Sequence, residues 1–329
     1  MENKYVPPYE ITDEMLRLIS DIMENLGRLS GVNELEKLPR LRRVNRIKSI
    51  HSSLAIENNT LSFEQVTAVI NGKPVLAPQK DVLEVQNAFR AYEKLGEINP
   101  YSVDDLLKIH GVMTDGLVKE SGQLRSGQVG VYNQDGKVVH LAPPAEFVPG
   151  QIAQLFSWAQ TSRTNMLIKS SVFHYEFEFI HPFNDGNGRT GRFWQTALLA
   201  SWKPIFAWIP IESIIKNNQE AYYNAIALST SQGKSNIFVE FMLDVINNAI
   251  KELVDDAKNH SNHLNNRVAE LLKVIEPYPQ SATELMEKLN LKSRAGFRNN
   301  YLQPALDAGL IGMTEPDKPT SKNQKYFKI

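Results

Sequence analysis

The chain has 329 residues, with 36 basic against 37 acidic side chains, a formal net charge of −1 and no cysteine. That length accommodates one large or two medium domains with an ample buried core, and the ordinary composition excludes disordered and fibrous classes. The charge balance removes any global attraction to nucleic acid or acidic membranes, while the missing thiols remove disulfides, thiolate metal sites and cysteine nucleophiles, which fits a reducing, cytoplasmic setting.

The first ten residues are polar and contain prolines, without a basic-then-apolar signal pattern. Met15, Leu18, Ile19, Ile22 and Leu26 follow Thr12 at helical spacing, which predicts a first helix capped by Thr12. A basic helix over about 39–57 carries Arg40, Arg42, Arg43, Arg46 and Lys48. Ser62 caps a short helix through Val69, stopped at Asn71-Gly72, and further helices are predicted over 80–95, 102–117, 145–159 and 165–179. One strand signal interrupts them: 128–132 and 137–141 flank a turn with Asp135-Gly136, which reads as a hairpin. Residues 193–211 approach membrane-spanning length, but Lys203-Pro204 would break such a helix at mid-bilayer. A buried helix ending near Trp202, and no membrane contact, is therefore predicted. Helices resume over 212–228 and 237–259.

A second module starts near Asn262. Val268, Leu271, Leu272 and Ile275 share a helix, Ser281 caps 282–289, and a third helix begins at Ser293 or Arg294. The polar stretch 314–325, ending in Tyr326-Phe327, reads as a β-wing, so the module reads as a winged helix-turn-helix. The fold class is mainly α: a helical bundle with a small hairpin, followed by this module. The domains are 1–110 with the basic helix at about 40–58, 111–259 with the hairpin at 128–141, and 262–329.

The informative run is His181-Pro182-Phe183-Asn184-Asp185-Gly186-Asn187-Gly188-Arg189-Thr190-Gly191-Arg192. It contains the parts of a phosphate site. Pro182 ends the preceding helix, so His181 projects from its edge. Gly186 and Gly188 let the backbone curl and present N–H groups to an anion, and the helix that follows adds the positive end of its dipole. Arg189 and Arg192, three apart, share a helix face and can grip more than one phosphate. Asp185 is a hard oxygen ligand suited to Mg²⁺, and His181 is the group able to take a proton near neutral pH.

This run matches the Fic family signature, His-Pro-Phe-x-Asp/Glu-Gly-Asn-Gly-Arg-x-x-Arg, at every position. Related Doc toxins, which phosphorylate, carry lysine where this chain has Gly188, so the chain resembles the AMP-transferring branch over about residues 12–255. The resemblance implies an adenylyltransferase that moves AMP from Mg-ATP to a Ser, Thr or Tyr hydroxyl of a protein, itself included. His181 would be the base, Asp185 the Mg²⁺ ligand, and Gly186, Asn187 and Gly188 the anion hole. Arg189 and Arg192 would face the β- and γ-phosphates, with Thr190 and Gly191 in the same nucleotide-binding run. The hairpin is similar to the family's flap, in which Val129 and Val131 would align the target by main-chain pairing. Tyr223 and Ile226 would face adenine, and Thr230 stands where family members often carry asparagine.

Ser53-Leu54-Ala55-Ile56-Glu57-Asn58 matches the family's inhibitory pattern, Ser/Thr-x-x-x-Glu-Gly/Asn, in the branch whose inhibitory helix belongs to the same chain. A bidentate contact of Glu57 with Arg192 would occupy the guanidinium that the γ-phosphate needs. Removal of AMP, transfer of UMP or phosphocholine, and nucleotide sensing by a DNA-binding regulator are the alternatives. His174, with Glu176 and Glu178, reads as a packed histidine rather than a metal ligand, and His51 and His110 as ordinary helical positions. Lys292, Arg294 and Arg298 give the third helix of the second module some positive charge, but acidic neighbours leave DNA unfavoured as a partner. A homodimer through that module is an open expectation.

Overall fold

The computed structural model describes residues 5–31, 39–132, 138–319 and 321–329. Local signals set most helix boundaries. Thr12 Oγ1 accepts from the Met15 N–H at the start of α1 (Asp13–Gly31), and α2 spans Pro39–Ile56. Ser62 and Gln65 form a capping box on α3 (Phe63–Ile70), which satisfies two end amides reciprocally. Then come α4 (Gln79–Glu93) and α5 (Val103–Thr114), the latter capped by Ser102. Strands β1 (Gly130–Tyr132) and β2 (Val138–Leu141) pair antiparallel, with an irregularity between Val131 and Tyr132. The expected Asp135-Gly136 turn lies outside the described residues.

Helices α6 (Val148–Thr161), α7 (Met166–Ile180) and α8 (Asn187–Trp202) form the centre. Nearly every side chain of α7 is buried, so it is wrapped on all sides and α8 packs along it. Trp194 of α8 is fully buried and donates its indole N–H to the Pro100 carbonyl at 3.0 Å. Burying one such side chain stabilises by about 2–3 kcal/mol. Lys203 ends α8 and a 3-10 turn follows at Pro204–Trp208, where the proline stops the helix. No helix of the described residues is long and apolar enough to cross a membrane.

Two expectations change here. Residues predicted as one helix over 212–228 form α9 (Ile211–Asn217) and α10 (Gln219–Gln232), separated at Asn218, whose backbone leaves the helical region. The break predicted near residues 259–262 is absent: α11 runs without interruption over Asn236–Val274. Contacts divide the chain into residues 1–254 and 255–329, so the N-terminal helices share one unit with α5 to α10. Their common core includes Met15, Ile22, Ile50, Phe173, Phe193 and Phe238.

The second unit contains β3 (Gln280–Ser281), α12 (Ala282–Lys288), α13 (Arg294–Phe297), a π turn at Arg298–Leu302, α14 (Gln303–Asp307), β4 (Ile311–Met313) and β5 (Lys325–Lys328). Ser281 and Glu284 form a capping box, and Ser293 caps α13. The strands form one antiparallel sheet in the order β3-β5-β4. Leu271, Leu285, Phe297, Leu302 and Ile311 make a separate small core.

Candidate active site

Two opposed helix ends build the site. Helix α7 stops at His181, which adopts a left-handed conformation (φ 49°, ψ 63°) and donates its N–H to the Phe177 carbonyl at 2.9 Å. A non-glycine residue in that region is strained, so its surroundings must hold it. Arg125 does so. Its Nε donates to the His181 carbonyl at 2.7 Å, Nη1 to Gly127 at 2.9 Å, and Nη2 to Pro143 at 2.6 Å and Ile180 at 3.2 Å. Its own N–H donates to the Pro182 carbonyl at 2.9 Å. One buried guanidinium thus ties the end of α7 to both feet of the hairpin, and burial depresses its pKa. Sequence reading missed Arg125, because nothing in its local spacing marks it.

Between the helix ends, Gly186 caps α8 with φ 84°. A Cβ there would meet Thr114 Cγ2 at 2.9 Å, so glycine is required by both conformation and space. The Thr190 N–H makes the first intrahelical bond, to Gly186 O at 3.0 Å, which leaves the amides of Asn187, Gly188 and Arg189 without an intrahelical acceptor. They form an anion-binding helix start. The Asn187 side chain pins the loop, accepting from the Phe183 N–H at 2.9 Å and donating to the Phe183 carbonyl at 2.7 Å.

His110 corrects an expectation. It stacks on Phe183 with ring centres 3.6 Å apart. The Gly122 N–H donates to its Nδ1 at 3.0 Å, so the neutral ring carries its proton on Nε2 and donates to the Asp185 carbonyl at 2.9 Å. Burial drives its pKa down to about 4, against the opposing pull of that carbonyl. An apparently ordinary helical histidine is therefore a strut under the loop.

Arg189 is buried, donating to Glu84 Oε1 at 3.2 Å and to Asp185 Oδ1 at 3.1 Å. Asp185 Oδ1 also accepts the Gly186 N–H at 2.6 Å, and half of that side chain stays exposed. Arg192 is almost fully enclosed. Its Nε donates to Ser53 Oγ at 3.1 Å, and Nη2 to the Ser53 carbonyl at 2.9 Å and to Glu57 Oε1 at 2.8 Å. The expected two-oxygen fork is thus replaced by one carboxylate oxygen plus two groups of Ser53. Burial works against the Arg192 charge, but Glu57 more than offsets it and raises the pKa. Glu57 follows the last turn of α2, which is tied down by Gln219 Nε2 donating to the Ile56 carbonyl at 3.0 Å and by Asn59 Nδ2 donating to Glu84 at 2.8 Å.

His181 sits beside these groups with Nδ1 buried and unbonded. Burial holds its pKa below the ordinary value, against the Glu178 carboxylate and backbone carbonyl, which raise it. Thr190 and Gly191 face the core instead of the loop. Thr190 is fully buried with its hydroxyl toward Met113 Sδ, and a Cβ on Gly191 would meet Glu178 Oε1 at 2.7 Å. On α10, Ile226 is buried in the core, whereas Tyr223 is half-buried and is raised in pKa by burial and then by Glu57. Val129 is half-buried just before β1, and Val131 pairs with His140 in the hairpin. His174 is buried, with Nδ1 2.6 Å from Gln195 Oε1 and Nε2 3.1 Å from the Tyr222 hydroxyl.

Residues 100–199 match the Fic/DOC family, and residues 266–327 match the family described as Filamentation induced by cAMP protein Fic-like, C-terminal domain. A Fic family protein from Desulfovibrio desulfuricans G20, known from a 2.70 Å crystal structure, is 45% identical with a TM-score of 0.76. The alignment covers 99% of this chain and 98% of that one. Protein adenylyltransferase fic-1 of Caenorhabditis briggsae is 25% identical over 301 residues, covering 87% of this chain and 55% of the relative. Protein adenylyltransferase Fic of Nematostella vectensis is 30% identical over 170 residues, covering 47% and 38%. The chain spans about half the length, or less, of these curated relatives. Near-complete coverage at 45% identity, on the same helical architecture, establishes that the chain belongs to the Fic family.

Proposed function

We propose that this chain transfers AMP from Mg-ATP to a protein hydroxyl and is restrained by its own Glu57. The observation that carries the reading is the buried Arg192, three residues beyond Arg189 at an open helix start, already occupied by Ser53 and Glu57. The names of the curated relatives favour the same reaction.

In the transfer, the target hydroxyl oxygen bonds to the α-phosphorus as the bond to the bridging α–β oxygen breaks, and pyrophosphate leaves. His181 takes the hydroxyl proton. Nδ1 is enclosed and without a partner, so Nε2 is assigned as the acceptor. The amides of Asn187, Gly188 and Arg189 hold phosphate oxygens, and Arg189 and Arg192 neutralise the leaving end. A Mg²⁺ ion here would be held by one carboxylate and phosphate oxygens. Asp185, half exposed at the loop, fits that single-ligand role; the ion would offset phosphate charge. The hairpin anchored by Arg125 would present the target segment, and residues 255–329 would serve as a winged-helix docking module.

The test is incorporation of α-labelled AMP. A folded Glu57→Gly chain should label itself, His181→Ala in that background should lower the rate about 10²–10⁴-fold, and excess chelator should silence it. Labelling that survives both changes would refute the assignment.

A further inference from the structure

Away from the phosphate loop, a groove of about 760 Å³ opens among the early turns of α2, the end of α4, the last turns of α8 and the 3-10 turn after it. Arg43, Arg46, Phe89, Ile98 and Trp208 line it, with Glu93 as the single carboxylate on the wall. The two arginines lie three apart on one helix face. Arg46 Nη1 donates to the Tyr92 carbonyl at 2.7 Å, and its guanidinium lies 4.8 Å from the Trp208 ring centre and 5.1 Å from that of Tyr92. Arg43 Nη2 donates to Asn71 Oδ1.

The charge here is under-compensated. Among the described residues Arg43 rests on the Asn71 amide and Arg46 on a carbonyl and two ring faces, with no carboxylate bonded to either, and burial pulls Arg46 below the usual arginine range despite Tyr92, Glu212 and Glu93. A partly buried guanidinium such as that of Arg46 is costly without a hydrogen-bonded anion, and the forked donors of both arginines match phosphate oxygens. Most of the remaining wall is apolar, Arg42 lies 5.2 Å from the Trp208 ring centre as a third guanidinium on the lining, and the volume falls within the range of small-molecule sites.

We propose that this groove binds a small organic phosphate with a flat apolar body, its phosphate between Arg43 and Arg46 and its body against Trp208 and Ile98. Charge complementarity selects the anion, and the ring and aliphatic walls select the body. The site lies on the helix that leads to Glu57, eleven residues beyond Arg46, or about 16 Å at 1.5 Å per residue.

Calorimetric titration of the full chain with 1-naphthyl phosphate, and separately with inorganic phosphate, tests the site. An Arg189→Ala background keeps the phosphate loop from competing. The aromatic phosphate should bind one-to-one at least tenfold more tightly than inorganic phosphate and raise the thermal midpoint. Arg43→Gln and Arg46→Gln should each weaken it tenfold or more. Arg43 is exposed, so its substitution leaves the core intact, and Arg46→Lys keeps the charge while losing the fork. Absence of saturable binding, equal affinity for the two probes, or indifference to Arg43→Gln in a folded protein would overturn the proposal.

Discussion

Replacing His110 by alanine tests how the loop is held. The change removes the donor to the Asp185 carbonyl and the acceptor for the Gly122 N–H, each costing about 1–3 kcal/mol when left unsatisfied. Losing the stack on Phe183 adds about 1 kcal/mol. The expected loss at pH 8 is thus about 3–7 kcal/mol. The pH dependence is more specific. The ring titrates near 4 in the folded chain and near 6.5 when unfolded, so between those values the unfolded chain binds the extra proton. Stability from this group is complete above pH 6.5 and lost as pH falls through 4; the gap, at 1.36 kcal/mol per pH unit, is worth about 3 kcal/mol. Asp185 and Arg189 are the charged groups that face it and act in opposite directions. Urea unfolding of wild type and His110→Ala from pH 8 to pH 4 reads this directly. The difference between the two should narrow by about 3 kcal/mol on acidification, and parallel curves would refute the buried neutral tautomer.

Arg125→Ala should lower stability by about 3 kcal/mol or more and depress the turnover of AMP transfer, since four carbonyls lose a charged donor. Arg125→Lys should restore only a minor part of either, because a single ammonium cannot reproduce the fork; full rescue by lysine would show that only charge matters. A Cβ on Gly188 would overlap Glu57 Oε1 and lie 2.8 Å from Arg192 Nη1, so Gly188→Ala should destabilise wild type more than the Glu57→Gly chain, with a coupling of about 1 kcal/mol or more. Additive losses in the denaturation cycle would contradict that packing. Because burial lowers the His181 pKa, the midpoint of the acid-side decline in transfer by Glu57→Gly should lie below 6.5; Glu178 and Arg125 are the remaining charged groups around the ring. A pH–rate midpoint above 6.5 would exclude His181 as the titrating base.

Helix starts were legible where a side chain caps its own backbone. Thr12, Ser62 and Ser281 all cap as their spacing predicts, because the signal and the bond lie within four residues. The loop run was legible for the same reason. His110, Arg125 and Glu84 were not, since each acts across 56 to 105 residues and none interrupts a helical pattern. The uninterrupted α11 escaped as well: the asparagine-rich stretch near 259–266 has weak helix propensity, yet the structure carries the helix through it. Thr190 and Gly191 show the converse. Membership in a chemical motif does not by itself say where a side chain points: Thr190 faces Met113 and Gly191 makes room for Glu178.

The central claim is that Glu57 and the γ-phosphate compete for Arg192, and one set of rates tests it. Incorporation of α-labelled AMP is measured at saturating Mg-ATP for folded wild type, Glu57→Gly, Arg192→Ala and the double variant. Displacing ATP from near-attack geometry is costly, so freeing Arg192 should raise the Glu57→Gly rate about tenfold or more over wild type. The added Arg192→Ala should cancel that gain, because the freed guanidinium is the group the phosphate needs. Equal rates for wild type and Glu57→Gly would contradict the account.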